Sequence, residues 1–493
     1  MEAPVTTEPP ETDTRRRVVT AACMLTVFMV AVEVTIVGTA MPTIVGQLGR
    51  FDLFTWVFAA YILTSAVTAP VYGRLADLHG RKRVYYVGAA LFLAGSALCG
   101  FATSMMGLIA FRTLQGIGAG ALQPLVITIL GDVHRAEARA RVLAWQGSVW
   151  GVAAVIGPVI GAFIVQYLRW EIVFWINVPI GLAAIAMLAW ALRESVARRE
   201  HSIDYLGSAL LMYGAGALLM AAVQAQDLPR WLLLALIVSG AAALAWLFVH
   251  ERTAPEPIVP FHLWRVRSVS VSNLGAAAIG IVVSCVTLFL PTYVQGVMGY
   301  NPTIAGSVYA AQSLAWAVGG IAISRVLAHA NFRSTSALGG GLLIVGCIVF
   351  VLADRDSSVW WVTAGACLVG LGMGACNTTF TVACQTEIGW HDRGGAVSGN
   401  IFMRTIGMAV GAGIGGALVN LSLAHLPAEQ AETVRKILDP VLRGTLPASA
   451  VADVAGAIAF ALHDVYVASL AAALAALLLA FALPTHLRLR PAT

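Results

Sequence analysis

The sequence predicts an all-α integral membrane protein of about fourteen spans, and its composition and hydropathy pattern carry that prediction. Of its 493 residues, 59% are hydrophobic and only 11% are charged, whereas a soluble domain has about 25% charged residues. The apolar residues are gathered into stretches of about 20, which is the length that a helix needs to cross a bilayer. An internal repeat then divides the spans into two halves.

Hydropathy places the spans one after another along the chain. Residues 1–17 are polar and end in consecutive arginines, which indicates a cytoplasmic N-terminal tail. Spans are predicted at residues 18–42, 54–76, 85–102, 105–130, 142–167, 172–192, 205–223, 231–249, 269–294, 304–327, 336–352, 360–384, 396–421 and 463–483. Residues 485–493 are predicted to be a C-terminal tail. The loops of one side hold about three times as many arginines and lysines as those of the other, so both termini are expected in the cytoplasm and the protein in the cell membrane.

The charges and cysteines exclude other classes of protein. The formal net charge is +5, but the cations are spread over short loops and form no surface that could bind nucleic acid. The seven cysteines lie inside or at the ends of apolar spans, a placement typical of packing and not of a disulfide or metal framework. We therefore expect no nucleic-acid partner, no metal, no cofactor, and a monomer surrounded by membrane lipids.

The internal repeat has a period of 254 positions. This shift lays Gly-Ile-Gly-Ala-Gly-Ala at residues 116–121 on Gly-Leu-Gly-Met-Gly-Ala at residues 370–375, and in the same register it lays Arg139 on Arg393. One register kept across two helices indicates two homologous halves. Halves of this kind enclose a central cavity in many transporters.

The repeat sets the predicted domain boundaries. We expect six-helix halves at residues 18–192 and 269–484, with an inserted helix pair and its cytoplasmic linkers at residues 193–268. The second half contains an external segment at residues 421–462, which is long for a loop. It is interpreted either as a lid or as a solvated surface helix.

Two charged residues lie deep inside predicted spans. Glu33 is the one acid far from a span end, and Arg112 lies well inside the fourth span, with Gln115 and Gln123 on the same helical face. A charge at this depth is costly unless it faces a partner or a wet cavity. Glu33 and Arg112 are therefore predicted to couple transport to protons.

A basic segment joins the second and third spans. Its glycines, acid and cations are predicted to clasp neighbouring helices and act as a conformational gate, with the acid facing a helix N-terminus. The alternative is that the cations only fix the orientation of the loop. The gate residues are Gly73, Arg74, Asp77, Gly80 and Arg81.

Small residues predict close helix packing in the fifth and thirteenth spans. The residues are Gly151, Gly157, Pro158 and Gly161, with Gly411 and Gly415 at repeat-related positions. Amide, aromatic and cationic side chains inside the spans are predicted to line the substrate cavity. They are Gln115, Gln123, Trp145, Trp150, Gln295, Trp316, Asn377 and Arg404.

These patterns together resemble the major facilitator superfamily, and within it the fourteen-helix drug:proton antiporters. Residues 73–83 are similar to the loop between the second and third helices of that family, and Gly157-Pro158-Val-Ile-Gly161 is similar to its antiporter motif. The stretch around Arg112 resembles the motif implicated in proton transfer. The first span departs from the pattern, since Glu33 replaces the usual Asp and Gly38 replaces the usual polar residue.

The resemblance implies a proton-coupled exporter of amphipathic, mostly apolar or monocationic compounds that works by alternating access. Export of lipids or lipid-like molecules is the alternative, favoured by the departures at Glu33 and Gly38 and by the external segment. A membrane receptor or an intramembrane enzyme ranks lowest, because the sequence shows no sensor domain, no metal-binding helix motif and no paired deep acids.

Overall fold

The computed structural model describes residues 13–134, 136–192, 204–223, 228–253, 261–327, 329–389, 393–423, 433, 436–437 and 448–484. The predicted C-terminal tail, most of the N-terminal tail, the first linker after residue 192 and half of the external segment lie outside these residues. Of the external segment, residues 448–462 are described and are helical, so the last helix begins earlier than the predicted start of the last span at residue 463.

Helices account for nearly all of the described chain. They are α1 (Asp13–Leu48), α2 (Phe54–His79), α3 (Arg81–Cys99), α4 (Met105–Val133), α5 (Ala136–Tyr167), α6 (Ile172–Trp175), α7 (Asn177–Ala191), α8 (Tyr205–Val223), α9 (Arg230–His250), α10 (Arg267–Thr287), α11 (Leu290–Thr292), α12 (Pro302–Val326), α13 (Phe332–Val351), α14 (Val359–Thr386), α15 (Arg393–Leu423) and α16 (Ala448–Ala482). A π-helical turn at Tyr293–Val297 extends α11.

Polar caps mark several helix starts. Ser104 accepts a hydrogen bond from Gly107 N at the start of α4, and Asn301 and Asn331 do the same at the starts of α12 and α13. Each cap satisfies one backbone N–H that has no partner within its helix. The side chains between these caps are mainly apolar and therefore suit a lipid environment. The backbone polar groups are satisfied by the hydrogen bonds within each helix, as a bilayer requires.

Within the described residues, twelve helices are long and apolar enough to cross a membrane. The other two predicted spans are also helical. One is α3, which begins with Arg81-Lys82-Arg83, and the other is α8, whose apolar part at Leu206–Ala221 is shorter. The all-helical membrane fold is thus confirmed with twelve candidate spans, whereas the number fourteen stays a prediction.

The helices alternate in direction, so that both ends of the described chain lie on one side of the bundle, which we call the terminal side. There Thr20 Oγ1 lies 2.8 Å from His134 Nε2, Lys82 donates to Leu192 O, and Arg333 donates to Leu483 O. The opposite side, which we call the far side, carries the loop that precedes α2.

Two groups of helices form the halves, and they meet along two pairs. α5 packs against α12, and α2 packs against α15. α8 packs against α9 and also contacts α2 and α15. The proposed inserted pair therefore lies beside one of the two seams between the halves.

The far side of the bundle is closed by contacts between the halves. The rings of Phe54 and Phe289 lie 5.4 Å apart between centroids, Asn420 Nδ2 donates to Asp52 O at 3.0 Å, and Thr303 hydrogen-bonds Gln166. On the terminal side, a Cβ built on Gly73 of α2 would meet no atom within 4 Å.

The predicted loop between the second and third spans is shorter than the sequence suggested. α2 continues through Gly73 to His79, and α3 begins at Arg81, so only Gly80 separates them. Gly80 has φ 92°, which a residue with a Cβ adopts only with strain. A single glycine therefore makes the turn, and the gate residues are mostly helical.

Candidate functional site

Glu33 of α1 and Arg112 of α4 form an ion pair in the interior of the first half. Their side chains are 0% and 1% exposed, and Arg112 Nη1 donates to Glu33 Oε1. A buried charge is tolerated only when a partner compensates its loss of hydration. The structure thus brings together the two residues that the sequence selected for proton coupling, while that role remains a prediction.

Asn177 is the third member of this buried group. The sixth predicted span is interrupted at Ile176, and α7 restarts at Asn177. This restart places Asn177 against α1 and α3, where Nδ2 donates to Glu33 Oε2 and lies 3.3 Å from Ser96 Oγ. Asn177 Oδ1 is buried and has no hydrogen-bond partner among the described residues. The site therefore keeps one free acceptor beside Glu33.

The guanidinium of Arg112 has several partners besides Glu33. Nη1 also donates to Gln115 Oε1 at 2.7 Å, and Nε donates to Val57 O at 3.2 Å. Its Cζ lies 4.1 Å from the centroid of the Tyr61 ring, a distance at which a cation is attracted by the ring face. Gln115 in turn donates to Ser96 Oγ. We call Glu33, Arg112, Gln115, Asn177 and Ser96 the buried polar cluster.

The buried polar cluster offers hydrogen-bond partners to Glu33 both when its carboxyl is ionised and when it is protonated. With Glu33 ionised, the pair with Arg112 is neutral overall. If Glu33 accepts a proton, Arg112 keeps Gln115, the Val57 carbonyl and the Tyr61 ring, and the protonated carboxyl can donate to Asn177 Oδ1 after rotation of the amide. Both states thus have hydrogen-bond partners.

The predicted cavity residues fall into different environments. Arg404 Nη1 donates to Asn377 Oδ1 at 2.6 Å between α15 and α14. Gln295 is buried in the π-helical turn, and Gln123, Trp150 and Trp316 are half-buried. Gln115 belongs to the buried polar cluster and is closed to solvent.

Trp145 is the most exposed of the predicted cavity residues. Its side chain is 51% exposed, and those of Val152, Val159 and Phe163 on the same stripe of α5 are exposed as well. Trp150 on the same helix is half-buried. The two tryptophans of α5 therefore lie in different environments.

The predicted packing glycines lie at helix crossings. A Cβ on Gly157 or Gly161 would overlap Thr35 or Thr39 of α1, and a Cβ on Gly411 would lie 2.7 Å from Ile281 O of α10. A Cβ on Gly415 would lie 2.5 Å from Phe289 Cε2, whereas one on Gly151 would have ordinary contact with Ala317 at 3.8 Å. Pro158 is inside α5, and its carbonyl faces Gly306 of α12.

The gate region is described in part. Arg81 forms an ion pair with Asp132 at the end of α4, and Lys82 Nζ donates to Ala189 O and Leu192 O at the end of α7. A cation there is favoured by the carbonyls and dipole of the helix end. The side chains of Arg74 and Asp77 are not among those that the structure describes. The contact of Asp77 with a helix N-terminus therefore stays a prediction.

Sequence reasoning missed three members of the site. Asn177, Ser96 and Tyr61 were not selected, although Asn177 is an amide inside an apolar run. Only the break at Ile176, which lets α7 begin at Asn177, shows that this amide is directed at Glu33. Ser96 and Tyr61 are ordinary span residues, and only the fold brings them to Arg112. Among the described residues, no group of His, Cys, Asp and Glu could hold a metal ion.

Comparison with known proteins agrees with this architecture. Residues 23–412 match the family described as Major Facilitator Superfamily. The chain is 32% identical over 415 residues to the Multidrug transporter protein MdtP of Bacillus subtilis, covering 84% of this chain and 77% of that protein. It is 33% identical over 398 residues to Multidrug resistance protein 3 of the same organism, covering 80% and 78%.

Solved structures share the fold at low identity. A bacterial homologue of the human lysosomal transporter Spinster, solved inward-facing and unoccupied, aligns with a TM-score of 0.66 and 16% identity, covering 98% of this chain and 100% of that one. A D-xylose-proton symporter aligns with a TM-score of 0.62 and 11% identity, covering 87% and 96%.

Proposed function

The chain belongs to the Major Facilitator Superfamily, and we propose that it is a proton-coupled exporter of amphipathic, mostly apolar compounds. Membership of this family makes it a multi-pass membrane transporter and not an enzyme. The relatives named for multidrug transport and multidrug resistance support drugs and similar compounds as the substrate class.

The observation that carries proton coupling is the fully buried pair of Glu33 and Arg112. No other acid of the described spans forms an ion pair with a deep arginine. Movement of α1 relative to α4 would separate the two charges, and a separated carboxylate in a dry interior favours protonation. Substrate binding and helix movement can thus each change the proton occupancy of Glu33.

Alternating access is consistent with the contacts that join the two halves on the far side. The far side is closed by Phe54, Phe289, Asp52 and Asn420. With both termini in the cytoplasm, as the loop charges predict, this arrangement would be the one that loads substrate from the cytoplasmic side. Gly73, Asp77, Gly80 and Arg81 would then control the reverse movement at the terminal side.

The experiment uses the purified full chain in proteoliposomes with an imposed pH gradient. A fluorescent neutral amphipathic dye and a fluorescent lipid are offered in parallel, with Glu33→Gln as the matched variant. We expect accumulation of the dye that depends on the gradient and is lost in Glu33→Gln. Accumulation by the wild-type chain that does not respond to the gradient would refute proton coupling, and transport of the lipid alone would favour the lipid-exporter alternative.

A further inference from the structure

Arg404 is a deep cation whose surroundings differ from those of Arg112. It is the twelfth residue of α15, is partly exposed, and has one hydrogen bond, to Asn377 Oδ1. Among the described residues it forms no ion pair. A guanidinium at this depth is costly to keep without a compensating anion or water. The fold therefore leaves a positive charge in the interior that its own described side chains do not neutralise.

The pair of Arg404 and Asn377 offers hydrogen-bond donors without a free acceptor. The guanidinium has N–H groups beyond the one given to Asn377, and it has no acceptor atom. Asn377 Oδ1 is occupied by Arg404, while its Nδ2 has no partner among the described residues. Arg112 differs in its partners, because Glu33, Gln115 and the Val57 carbonyl accept hydrogen bonds from its Nη1 and Nε. A cationic group that only donates is suited to a carboxylate, sulfonate or phosphate.

The repeat relates this pair to a tryptophan and a glutamine in the first half. The shift of 254 positions lays Trp150 on Arg404 and Gln123 on Asn377. Trp150 is half-buried and packs against two clusters of buried apolar side chains. At repeat-related positions, one half thus presents an indole and an amide, and the other a guanidinium and an amide.

We propose that Arg404 and Asn377 form a subsite for the anionic group of an amphipathic substrate, whose apolar body lies toward Trp150. This inference rests on the proposed export function and changes its charge preference. Since Arg112 neutralises Glu33, Arg404 leaves the described interior with an excess positive charge, which disfavours a monocation. The shared chemistry is one anionic head on an apolar body, and the source is either a soluble organic acid or an anionic lipid.

A matched pair of probes tests the subsite. The probes are 1-anilinonaphthalene-8-sulfonate and N-phenyl-1-naphthylamine, which share an aromatic body and differ by the sulfonate. Binding to the purified full chain in uncharged detergent is measured by energy transfer from the protein tryptophans. We expect Arg404→Gln to raise the Kd of the sulfonate about tenfold or more, as loss of a charge-assisted contact does. The Kd of the neutral probe should be unchanged, and Arg404→Lys should lie between the two.

Arg355→Gln is the matched control, because Arg355 is an exposed cation of the same half in the loop between α13 and α14. It should leave both Kd values unchanged. Equal weakening of both probes by Arg404→Gln would make Arg404 structural and overturn the proposal. No effect on the sulfonate, or no preference for it by the wild-type chain, would overturn it as well.

Competition identifies the source of the anion. Displacement of the sulfonate by short-chain phosphatidylglycerol, but not by short-chain phosphatidylcholine, would assign the subsite to a lipid headgroup. Displacement by an aromatic carboxylate without effect of either lipid would assign it to soluble acids. Displacement by none of them would contradict the proposal. This binding assay needs no pH gradient, so failure of proton-coupled transport and failure of the anion subsite give separate results.

Discussion

Glu33 and Arg112 are 79 positions apart in the chain, and they meet in the structure because α1 and α4 cross in the first half. The cost of burying each charge alone was readable from the sequence. Their pairing was not, because hydropathy gives the depth of a residue but not its direction. The same limit explains Asn177, whose position depends on the break between α6 and α7. Side-chain direction is therefore the information that the fold adds at this scale.

Glu33 itself gives the first prediction. Glu33→Gln keeps the shape of the side chain but cannot lose a proton, so we expect exchange of substrate down its own gradient to continue and pH-driven accumulation to stop. Glu33→Asp should retain part of the coupling, since it keeps a carboxyl. Counterflow and pH-jump uptake on the same reconstituted protein measure the two activities. Accumulation by Glu33→Gln in response to a pH gradient would place the coupling site elsewhere.

Arg112 gives a second prediction, about stability. Arg112→Gln leaves Glu33 buried beside neutral groups, and breaking a buried ion pair costs about 3–5 kcal/mol. We expect a lower Tm in detergent, because Arg112→Gln leaves a carboxylate in the interior without its cation. The double variant Glu33→Gln with Arg112→Gln should recover part of the loss, since no buried charge remains. An unchanged Tm in Arg112→Gln, or no recovery in the double variant, would contradict this account.

At the scale of helices, the spacing of glycines predicted where helices pack closely, whereas the sequence did not predict the length of the loop between α2 and α3. Gly157, Gly161 and Gly411 lie at crossings where a Cβ would overlap or press a neighbouring helix. Small residues at steps of four expose the backbone along one face, which explains why the sequence could indicate these contacts. The turn at Gly80 was not foreseen, because cations and an acid within α2 resemble loop composition. Basic residues at a membrane surface are compatible with either structure.

The crossing of α5 with α1 gives the third prediction. Gly157→Leu would drive a side chain into Thr35, and overpacking of this kind costs about 1–3 kcal/mol. We expect a folded protein with lower turnover, because movement of α5 along α1 is blocked. Gly131→Leu is the control, since a Cβ at Gly131 in α4 would meet no atom within 4 Å. Substrate counterflow measures both variants, and normal turnover in Gly157→Leu would show that this crossing does not move during transport.

At the scale of the whole molecule, the repeat predicted two halves but not how they meet. Residues that close the far side, such as Phe54, Phe289 and Asn420, are not related by the repeat and have no shared pattern. Each is an ordinary apolar or polar residue near a helix end. The two halves also differ in charge, since the first pairs its deep arginine with Glu33 and the second leaves Arg404 without an acid among the described residues. The deep arginines of the two halves therefore have different partners among the described residues.

Closure of the far side gives the last prediction. A Cβ on Gly416 of α15 would lie 3.0 Å from Thr55 Cβ of α2, and a disulfide needs about 3.5–4.5 Å between these atoms. A small shift would let cysteines at both positions bond. We expect oxidised Thr55→Cys with Gly416→Cys to bind substrate but not transport it, because the disulfide joins the halves on the side that must open to release substrate. Reduction should restore transport.

A cysteine pair within one half separates this effect from general damage by oxidation. Ser422 and Asp464 are both in the second half, with 3.4 Å between Ser422 Oγ and Asp464 Oδ2. Oxidised Ser422→Cys with Asp464→Cys should therefore transport like its reduced form, since no bond crosses between the halves. Transport by the oxidised Thr55 and Gly416 pair at the reduced rate would mean that the far side stays closed throughout the cycle. That result would contradict alternating access through this seam, because rocking of rigid halves must separate α2 from α15 at their far ends.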